Sequence, residues 1–585
     1  MKKFILLFFF WVIAFSSYAQ SWVWGREPIP NPSGFGDPQG DHCVAADKLG
    51  NSYITGYFNG DISFGSYNLN ASGNGNGDVY VAKYDKAGNV LWAKQSISPT
   101  NLSGGNAYSI GVDLFGNIYV AGEFGDTISF GSYTLMNPFP GFGGIFIVKY
   151  DANGNTLWAK QAVVANKLSH GAALSLAVDG LGNICMTGLF QDSISFGAYT
   201  LHTTPPWDAF LVKYDANGNV LWAKQSVLVN ANSQSIGYSV ATDASNNIYI
   251  TGQFSDTVTF GPYSLVYQQN NGGEVFLVKY DANGNVIWAR QSSAPGSSSA
   301  GQPTSIAIDG SGNSYITGSF ISSLAFDTTI LNNVSSYGSF LVKYNSAGNV
   351  LWANQIYEQD GNAWLGYSVA TDTLATGGCY YLSAGSSSPP YRVKFGNKTF
   401  SLATTYQSAT VLIKVDSSGN PLCGTIFSEG DEDDGDAVNV DRSGQYAYIT
   451  GDLKNPSSFG KDTLVYGGDM TFLARWEPCD IIIDTTPVTK PTEPCSNLFV
   501  PNAFSPNNDG QNDILLVQGN CLKTMDFIIF DRWGNKVFES ENIYNGWDGT
   551  YNNQPMNTGT YAYYLKATMQ DGSNVEKHGN ITLVR

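Results

Sequence analysis

The alternation of apolar and polar positions repeats along most of the chain with a period of about 65 residues. Each period contains an apolar run ending in Lys-Tyr, a polar turn with glycine, and a returning run with tryptophan, as in LVKYDANGNVLWAKQ at 211–225. Short runs rich in Val, Ile, Tyr and Phe between such turns are typical of β-strands. The turn dipeptide, mostly Asn-Gly or Ala-Gly, predicts a tight hairpin with glycine at positive φ, preceded by an aspartate that accepts backbone N–H bonds. The pattern therefore predicts an all-β fold of repeated hairpins.

Three sequence markers each occur seven times. The first is an aspartate before a turn and an apolar strand, the second is a phenylalanine usually followed by glycine, and the third is the basic residue of the Lys-Tyr strand. The aspartates are Asp47, Asp113, Asp179, Asp243, Asp309, Asp372 and Asp441, the phenylalanines are Phe64, Phe130, Phe196, Phe260, Phe326, Phe395 and Phe459, and the basic residues are Lys83, Lys149, Lys213, Lys279, Lys343, Lys414 and Arg475. A fixed period of this kind indicates a repeat architecture.

The tryptophan strand follows only six of the seven Lys-Tyr strands. Its positions are Trp92, Trp158, Trp222, Trp288 and Trp352, with Cys423 in the sixth copy. The missing strand is found at the other end of the chain, because SWVWGREP at 21–28 carries Trp24 in the matching context. An N-terminal strand that completes the last unit closes a ring. We therefore predict a seven-bladed β-propeller over residues 20–477, closed by the N-terminal strand, with tryptophans packed between blades.

The segments outside the repeats have different compositions. Residues 478–494 are rich in Pro and Thr, which predicts an extended linker. Residues 495–585 alternate strand-like runs with turn clusters, the pattern of a small β-sandwich. At the N-terminus, two lysines precede a short apolar run and the small residues Ser17 and Ala19, which predicts a signal peptide over residues 1–19. No later segment is apolar enough to predict a membrane span.

Charge and cysteine content limit the classes of partner and the disulfide bonds that can be expected. Without Lys2 and Lys3, 28 of the 30 basic residues remain against 48 acidic ones, so nucleic acid is not an expected partner. The seven cysteines are too few for a disulfide scaffold in so long a chain. Cys43, Cys185, Cys379 and Cys423 lie within the repeats and are interpreted as small buried apolar residues. Cys495 and Cys521 are the preferred disulfide pair, with Cys479 as a further candidate.

Candidate binding residues come from the expected geometry of a propeller. The first strand of each repeat is expected nearest the axis, with the residues just before it at one mouth of the central channel. The candidate ligand-binding residues there are His42, Tyr108, Tyr238, Trp364, Tyr367 and Asp436, beside Leu174 and Thr304. Aromatic residues with few charges can stack on sugar rings or bind a peptide. The alternative is that these tyrosines only fill the channel.

Signals for catalysis, metals and cofactors are weak. The four histidines are dispersed, no serine lies in a nucleophile-elbow context, and no glycine-rich loop joins a strand to a helix. The Asp-Ala-Asn-Gly-Asn turns resemble the start of a calcium loop but lack its sixth-position glycine and distant glutamate. We therefore expect no cofactor and no metal, while carboxylates brought together from several blades remain an open route to catalysis.

The C-terminal segment carries the motifs PNAFSPNNDGQND at 501–513, FDRWGNKVFES at 530–540, GWDG at 546–549 and GTYAYYL at 559–565. These motifs resemble the gliding-motility-associated C-terminal domain, the type B sorting domain of the type IX secretion system of Bacteroidetes. The resemblance implies that the secretion machinery recognises this module and passes the protein across the outer membrane. The motif residues it implies are Pro501, Asn502, Phe504, Pro506, Asn507, Asp509, Gly510, Asn512, Asp513, Arg532, Trp533, Gly534, Trp547, Asp548, Gly549, Gly559 and Tyr561.

The repeats resemble the β-propeller repeats of secreted bacterial proteins, through GNxYxTGxF followed by FLVKYDxxGNxLW. Propellers host many functions, so this resemblance implies a fold and no activity. We expect an exported, non-enzymatic propeller that binds a glycan or a protein at or beyond the cell surface. The alternative is an extracellular polysaccharide lyase or hydrolase with its site at the channel mouth.

Overall fold

The structure, a computed structural model, describes residues 21–30, 37–72, 77–100, 103–140, 143–203, 207–230, 233–267, 273–295, 299–333, 337–358, 364–371, 378–386, 391–402, 408–427, 434–441, 444, 446–453, 457–459, 462–464, 470–478, 498–507, 513–517, 522–541, 546–551, 554–569 and 573–584. Every helix or strand assigned within these residues is a β-strand, which confirms the all-β class. The chain divides into two compact units, with the boundary between residues 481 and 482. The predicted signal peptide lies outside the described residues.

Four antiparallel strands recur in one order through the first unit, here named the inner, second, third and outer strands. The inner strands are Asp37–Ala46, Gly105–Val112, His170–Val178, Gln234–Thr242, Ala300–Ile308, Trp364–Thr371 and Asp434–Val440. The second strands are Ser52–Asn59, Ile118–Phe124, Ile184–Gln191, Ile248–Ser255, Ser314–Ile321, Cys379–Ser386 and Ala447–Leu453. The third strands are Asp78–Tyr84, Gly144–Tyr150, Asp208–Tyr214, Glu274–Tyr280, Gly338–Tyr344, Ser408–Val415 and Met470–Glu477. The outer strands are Val90–Gln95, Thr156–Val164, Val220–Gln225, Val286–Gln291, Val350–Glu358, Pro421–Phe427 and Ser21–Arg26.

A short hairpin separates the second and third strands of each repeat. The hairpin strands are Ile62–Phe64 with Tyr67–Leu69, Thr127–Phe130 with Tyr133–Met136, Ser193–Phe196 with Tyr199–His202, Thr257–Phe260 with Tyr263–Val266, Ser323–Phe326 with Thr329–Asn332, Tyr391–Phe395 with Lys398–Leu402, and Ser457–Phe459 with Asp462–Leu464. Two-residue strands Ile29–Pro30 and Val227–Leu228 pair with two of them. The marker phenylalanines end the first strand of each hairpin.

The register between third and outer strands is the same along the unit. Lys83 pairs with Trp92, and each later basic marker pairs with the tryptophan or cysteine of its own repeat. Arg475 pairs with Trp24 of the N-terminal strand in this same position. The N-terminal strand therefore lies where the last repeat lacks an outer strand of its own.

The cores of the first unit lie between successive repeats. Each inner strand contacts the next one along the chain, and Asp37–Ala46 also contacts Asp434–Val440. One core cluster joins Tyr53 and Trp92 to Ile118 of the following repeat. Another joins Trp24 and Tyr448 to Ile54 of the first repeat. Because both faces of a third strand are covered, it reads as an unbroken apolar run rather than an alternating one.

The second unit contains one five-stranded sheet and one two-stranded ribbon among its described residues. The sheet runs in the order Ala503–Phe504, Asn574–Leu583, Gly559–Met569, Leu522–Phe530 and Lys536–Ser540, and the ribbon pairs Thr550–Tyr551 with Gln554–Pro555. The first pair of the sheet is parallel, and the others are antiparallel. The unit has its own core.

Candidate functional site

The predicted channel residues occupy one repeated position of the inner strands. Tyr108, Tyr238 and Tyr367 are each the residue passed over where the pairing with the second strand shifts by one, which defines a β-bulge. Leu174, Thr304 and Asp436 occupy the same place in their repeats, and His42 lies within the corresponding shift. The prediction that these residues precede the inner strand is therefore wrong: they lie inside it. The side chains of His42 and Trp364 are outside the described residues.

The bulge explains the Thr-Gly pair of the second strand. The Gly252 backbone passes so close to the bulge that an added Cβ would lie 1.9 Å from the carbonyl oxygen of Ile236. Thr251, next to it, donates its hydroxyl to the carbonyl of Phe276 on the third strand at 2.8 Å. The same glycine contact recurs at Gly122, where the distance is 1.8 Å. These glycines are required because a side chain would force the bulge apart.

The bulge tyrosines are half-buried, and the hydroxyls of Tyr108 and Tyr238 are engaged in hydrogen bonds. Tyr108 donates to Glu123 Oε1 at 2.7 Å, and Asn106 donates to the Tyr108 hydroxyl at 3.2 Å. The Tyr238 hydroxyl accepts from Gln302 Nε2, on the next inner strand, at 3.1 Å. Burial raises the pKa of Tyr238. Tyr238 is thus neutral and partly accessible, and its hydrogen bond reaches the neighbouring repeat.

A serine directly after most of the bulge residues links successive repeats. Ser109 Oγ accepts from the backbone N–H of Leu176, one repeat later, at 2.9 Å. The same bond joins Ser175 to Val240, Ser239 to Ile306, Ser305 to Val369, and Ser368 to Val438. These serines were not predicted from the sequence, although their spacing equals that of the aspartate marker. They hold successive inner strands in register.

The aspartate and lysine markers meet in the junction between repeats. Asp243 Oδ2 accepts from the Tyr249 hydroxyl at 3.2 Å and lies 3.6 Å from Lys279 Nζ, which is itself 4.8 Å from the centre of the Tyr249 ring. Lys279 Nζ and Trp288 Nε1 both donate, each at 3.3 Å, to the carbonyl of Ser346 in the next repeat. Burial raises the pKa of Tyr249 above its ordinary range. These titratable groups are used to join repeats.

The Asp-Ala-Asn-Gly-Asn turns are closed by their own aspartates. Asp151 Oδ1 accepts from the backbone N–H groups of Asn153 and Asn155 at 2.9 and 2.8 Å, and Oδ2 accepts from Asn155 Nδ2 at 2.8 Å. Burial alone would raise the pKa of Asp151, but these hydrogen bonds outweigh it and lower the pKa. The predicted aspartate-capped turn is confirmed. Within the described ranges, no group of three or more His, Cys, Asp or Glu residues could hold a metal ion.

Buried carboxylates at the start of some third strands were not found from the sequence. Asp208 is fully buried and accepts from Ser235 Oγ at 2.9 Å and Gln225 Nε2 at 3.1 Å, and from Ser226. Glu274 accepts from Gln291 Nε2 at 2.9 Å. Burial raises the pKa of Asp208 to about 6 and that of Glu274 to about 7, against the opposing effect of these bonds. Each carboxylate ties its third strand to neighbouring side chains.

The cysteines depart from the sequence interpretation at two places. Cys185 and Cys379 are buried thiols, as expected, whereas Cys43 is only partly buried and donates to the carbonyl of Tyr108 at 2.9 Å. Cys423 is buried, as expected, but it is disulfide-bonded, so its interpretation as no more than a small apolar residue is wrong. It occupies a tryptophan position, where the smaller side chain leaves room for a covalent partner. Cys479, Cys495 and Cys521 lie outside the described residues.

Four of the described motif residues of the second unit lie in its core. Phe504 is buried, and its ring centre lies 5.3 Å from that of Trp547. The ring centres of Tyr561 and Trp547 are 4.8 Å apart. Tyr561 donates to the carbonyl of Asn557 at 2.7 Å, and an added Cβ at Gly549 would lie 2.8 Å from the Leu583 side chain. Phe504, Trp547 and Tyr561 belong to one core cluster, against which the Gly549 backbone packs closely.

The remaining motif residues lie in backbone contacts, turns and exposed positions. The Asn502 carbonyl accepts from the Thr582 N–H at 2.8 Å, the Asn507 N–H donates to Asp513 Oδ1 at 2.9 Å, and Asp548 Oδ1 accepts from the Thr550 N–H at 2.9 Å. Pro501 and Pro506 are partly buried, and Gly534 and Gly559 are exposed. Arg532 and Trp533 form an exposed turn. Asp509, Gly510 and Asn512 lie outside the described residues.

Comparisons with known proteins bear on both units. Residues 498–583 match the family model of the CHU_C type IX secretion signal domain, and residues 287–319 match that of a β-propeller repeat. An uncharacterised WD repeat-containing protein of Acanthamoeba polyphaga mimivirus is 25% identical over 375 residues. That match covers 52% of this chain and 26% of the relative, so the chain spans about a quarter of the relative's length.

Two solved structures match this chain over most of their length. A protein of unknown function from Dyadobacter fermentans is 9% identical, with a TM-score of 0.34, and the match covers 78% of this chain and 99% of that one. An ulvan lyase of polysaccharide lyase family PL25 is 11% identical, with a TM-score of 0.36 and coverage of 77% and 95%. Likeness at this level says nothing about what this chain binds or does.

The match over residues 498–583 confirms the sorting-domain resemblance, and the repeat match confirms the propeller-repeat resemblance. A type IX secretion signal directs passage across the outer membrane by the type IX machinery. In the described part of the chain, no helix is long and apolar enough to span a bilayer. The chain thus carries a C-terminal CHU_C type IX secretion signal domain and a segment that matches a β-propeller repeat, and the secretion signal indicates export across the outer membrane to the cell surface or the extracellular space.

Proposed function

We propose that the first unit is a seven-bladed β-propeller closed by the N-terminal strand. The pairing of Trp24 with Arg475 supports closure, because it repeats the register of the other tryptophans. So do the contacts of this strand with the first turn: Trp24 Nε1 donates to the Lys86 carbonyl at 3.2 Å and Arg26 Nε to the Gly88 carbonyl at 2.8 Å. The contact between the first and last inner strands also supports a ring.

The proposed domain organisation follows from this ring. Residues 1–19 form a signal peptide, 20–477 the propeller, 478–494 a linker, and 495–585 the sorting domain. The division of the chain between residues 481 and 482 and the family match over 498–583 support the last two boundaries.

The propeller binds a glycan or a protein outside the cell through the ring of bulge residues. The observation that carries this proposal is the repeated bulge, since it places Tyr108, Tyr238 and Tyr367 at equivalent positions of inner strands that contact one another in sequence. A bulge redirects a side chain away from the regular face of its strand, and bulges are common beside binding sites. This position holds tyrosine, leucine, threonine or aspartate in different repeats. The fold therefore requires no particular residue there, which leaves the position available for recognition.

Tyrosine suits this role because its ring stacks on apolar faces while its hydroxyl bonds to polar groups. Tyr108 and Tyr238 are held by Glu123 and Gln302, so little side-chain entropy is lost when a ligand binds. Because the bulge residues are mostly aromatic or uncharged, they favour a sugar or a peptide over a highly charged ligand.

The test uses the exported full-length protein on glycan and peptide arrays, with the same polysaccharides screened for cleavage. We expect replacement of Tyr108, Tyr238 and Tyr367 by Ser to abolish binding while far-UV circular dichroism is unchanged. The control variant replaces Tyr133 and Tyr199, which are exposed on the short hairpins between second and third strands, and it should bind normally. Unaltered binding by the first variant would leave the tyrosines as channel filling. Shortening of a polysaccharide would instead establish the lyase or hydrolase alternative.

A further inference from the structure

The sorting domain contains the same turn as the propeller repeats. Asp531 Oδ1 accepts from the backbone N–H groups of Trp533 and Asn535 at 2.8 and 2.9 Å, and Oδ2 accepts from Asn535 Nδ2 at 2.9 Å. Gly534 has a φ of 81°, beside 79° for Gly154 in the propeller. Asp-Arg-Trp-Gly-Asn and Asp-Ala-Asn-Gly-Asn are therefore two sequences for one local structure.

The two turns differ in what covers them. In the propeller, the carbonyl of Ala152 accepts from Trp92 Nε1 and Lys83 Nζ of the preceding repeat, each at 3.1 Å, and a Cβ on Gly154 would lie 2.9 Å from the Trp92 ring. In the sorting domain, a Cβ on Gly534 would meet no described atom within 4 Å. The propeller turn is thus an interface, whereas its counterpart is open.

The open turn presents a large aromatic surface. Trp533 is 77% exposed, in contrast to 1% for Trp547 in the same domain and 7% for Trp92. The Arg532 guanidinium lies 5.2 Å from the centre of the Trp533 ring, within the range of a cation–π contact. Neither side chain is needed for the turn, because Ala and Asn occupy these two positions in the propeller.

The other described motif residues of this domain pack its core, form turns or make backbone contacts, as described above. Trp and Arg are the residue types most enriched among the hot spots of protein interfaces. We propose that Arg532 and Trp533 form the contact through which a protein of the type IX export machinery recognises this domain. The indole enters an apolar pocket of that protein, and the guanidinium pairs with a carboxylate at the rim of the pocket.

This proposal rests on export by the sorting domain, and its test separates the two. In a host with type IX secretion, the full-length chain is compared with a variant in which Arg532→Ala and Trp533→Asn convert the turn to the propeller sequence. Because the turn keeps all its hydrogen-bonding residues, we expect unchanged thermal unfolding and at least a tenfold loss of protein outside the cell, with accumulation in the periplasm. Trp533→Phe should restore part of the export.

Two controls make the result decisive. Tyr551→Ala removes another exposed aromatic of the same domain and should leave export unchanged. Deletion of residues 495–585 should trap the propeller in the periplasm. If the deletion traps the protein while the turn variant is exported normally, the role of Arg532 and Trp533 is refuted and export by the domain stands. If the deleted protein still reaches the medium, export by this domain is itself refuted.

Discussion

Trp24 gives the sharpest test of ring closure. Its side chain is 2% exposed, its Nε1 donates to the carbonyl of Lys86 at 3.2 Å, and its ring lies 6.2 Å from that of Tyr448. A buried tryptophan removes roughly 150–250 Å² from water, worth about 4–6 kcal/mol at about 25 cal/mol/Å². Large-to-small substitutions of this kind cost about 3–5 kcal/mol. We expect Trp24→Ala to lower the free energy of unfolding by this amount.

The shift in unfolding temperature follows from the size of the propeller. An unfolding entropy of about 2.1 cal/mol/K per residue gives roughly 1 kcal/mol/K for about 450 residues, so Tm should fall by about 3–5 °C. Differential scanning calorimetry measures this shift. Deleting residues 21–28 should have a larger effect and also cause aggregation, because strand Met470–Glu477 would become an unpaired edge.

Two tryptophans serve as matched controls. Trp92 makes the equivalent contact within the chain, with Nε1 donating to the Ala152 carbonyl at 3.1 Å, so Trp92→Ala should cost as much as Trp24→Ala. Trp533→Ala should change Tm little, because that side chain is exposed. A shift below about 1 °C for Trp24→Ala, beside a full shift for Trp92→Ala, would show that the N-terminal strand is not an integral part of the ring.

Three further predictions concern single positions. The raised pKa of Asp208 means that the native state holds this proton more tightly than the unfolded state, so its stabilising effect is full below about pH 4 and is lost as the pH rises through about 6. In urea titrations, the free energy of unfolding of the wild type, relative to that of Asp208→Asn, should therefore fall by about 2–3 kcal/mol between pH 4 and pH 8. A difference that stays constant over this range would contradict the burial argument. Gly252→Ala should destabilise by several kcal/mol, since its Cβ would lie 1.9 Å from a carbonyl oxygen, and a neutral effect on Tm would show that the bulge can relax. Cys423 stands where other repeats have a tryptophan, and those tryptophans contact the turn that follows the Lys-Tyr strand of the next repeat. In the sequence of the last repeat, Cys479 stands at that turn, four residues after Arg475. Peptide mapping of the unreduced protein should therefore recover a Cys423–Cys479 bond. Recovery of Cys423 with Cys495 or Cys521 would refute that pairing.

The sequence alone determined the repeated unit, its strands and the place of the N-terminal strand. These properties are local or periodic: the Asp-x-x-Gly-Asn turn forms from five consecutive residues, and Trp24 is recognised because it has the spacing of the other tryptophans. The sorting domain was recognised for a similar reason, since its motifs lie in order along one segment.

Positions that depend on contacts between distant strands were decided only by the tertiary structure. The sequence placed Tyr108 before the inner strand, but pairing with Ile118–Phe124 puts it in a bulge, because Gly122 lets the two backbones approach. Likewise, the sorting-domain resemblance names Trp533 and Trp547 alike, and only the structure shows that Trp547 is buried and Trp533 is exposed. Periodicity shows where a tryptophan stands in a hairpin, and only the neighbouring strand or domain that packs against the hairpin decides whether its side chain is buried or available to a partner.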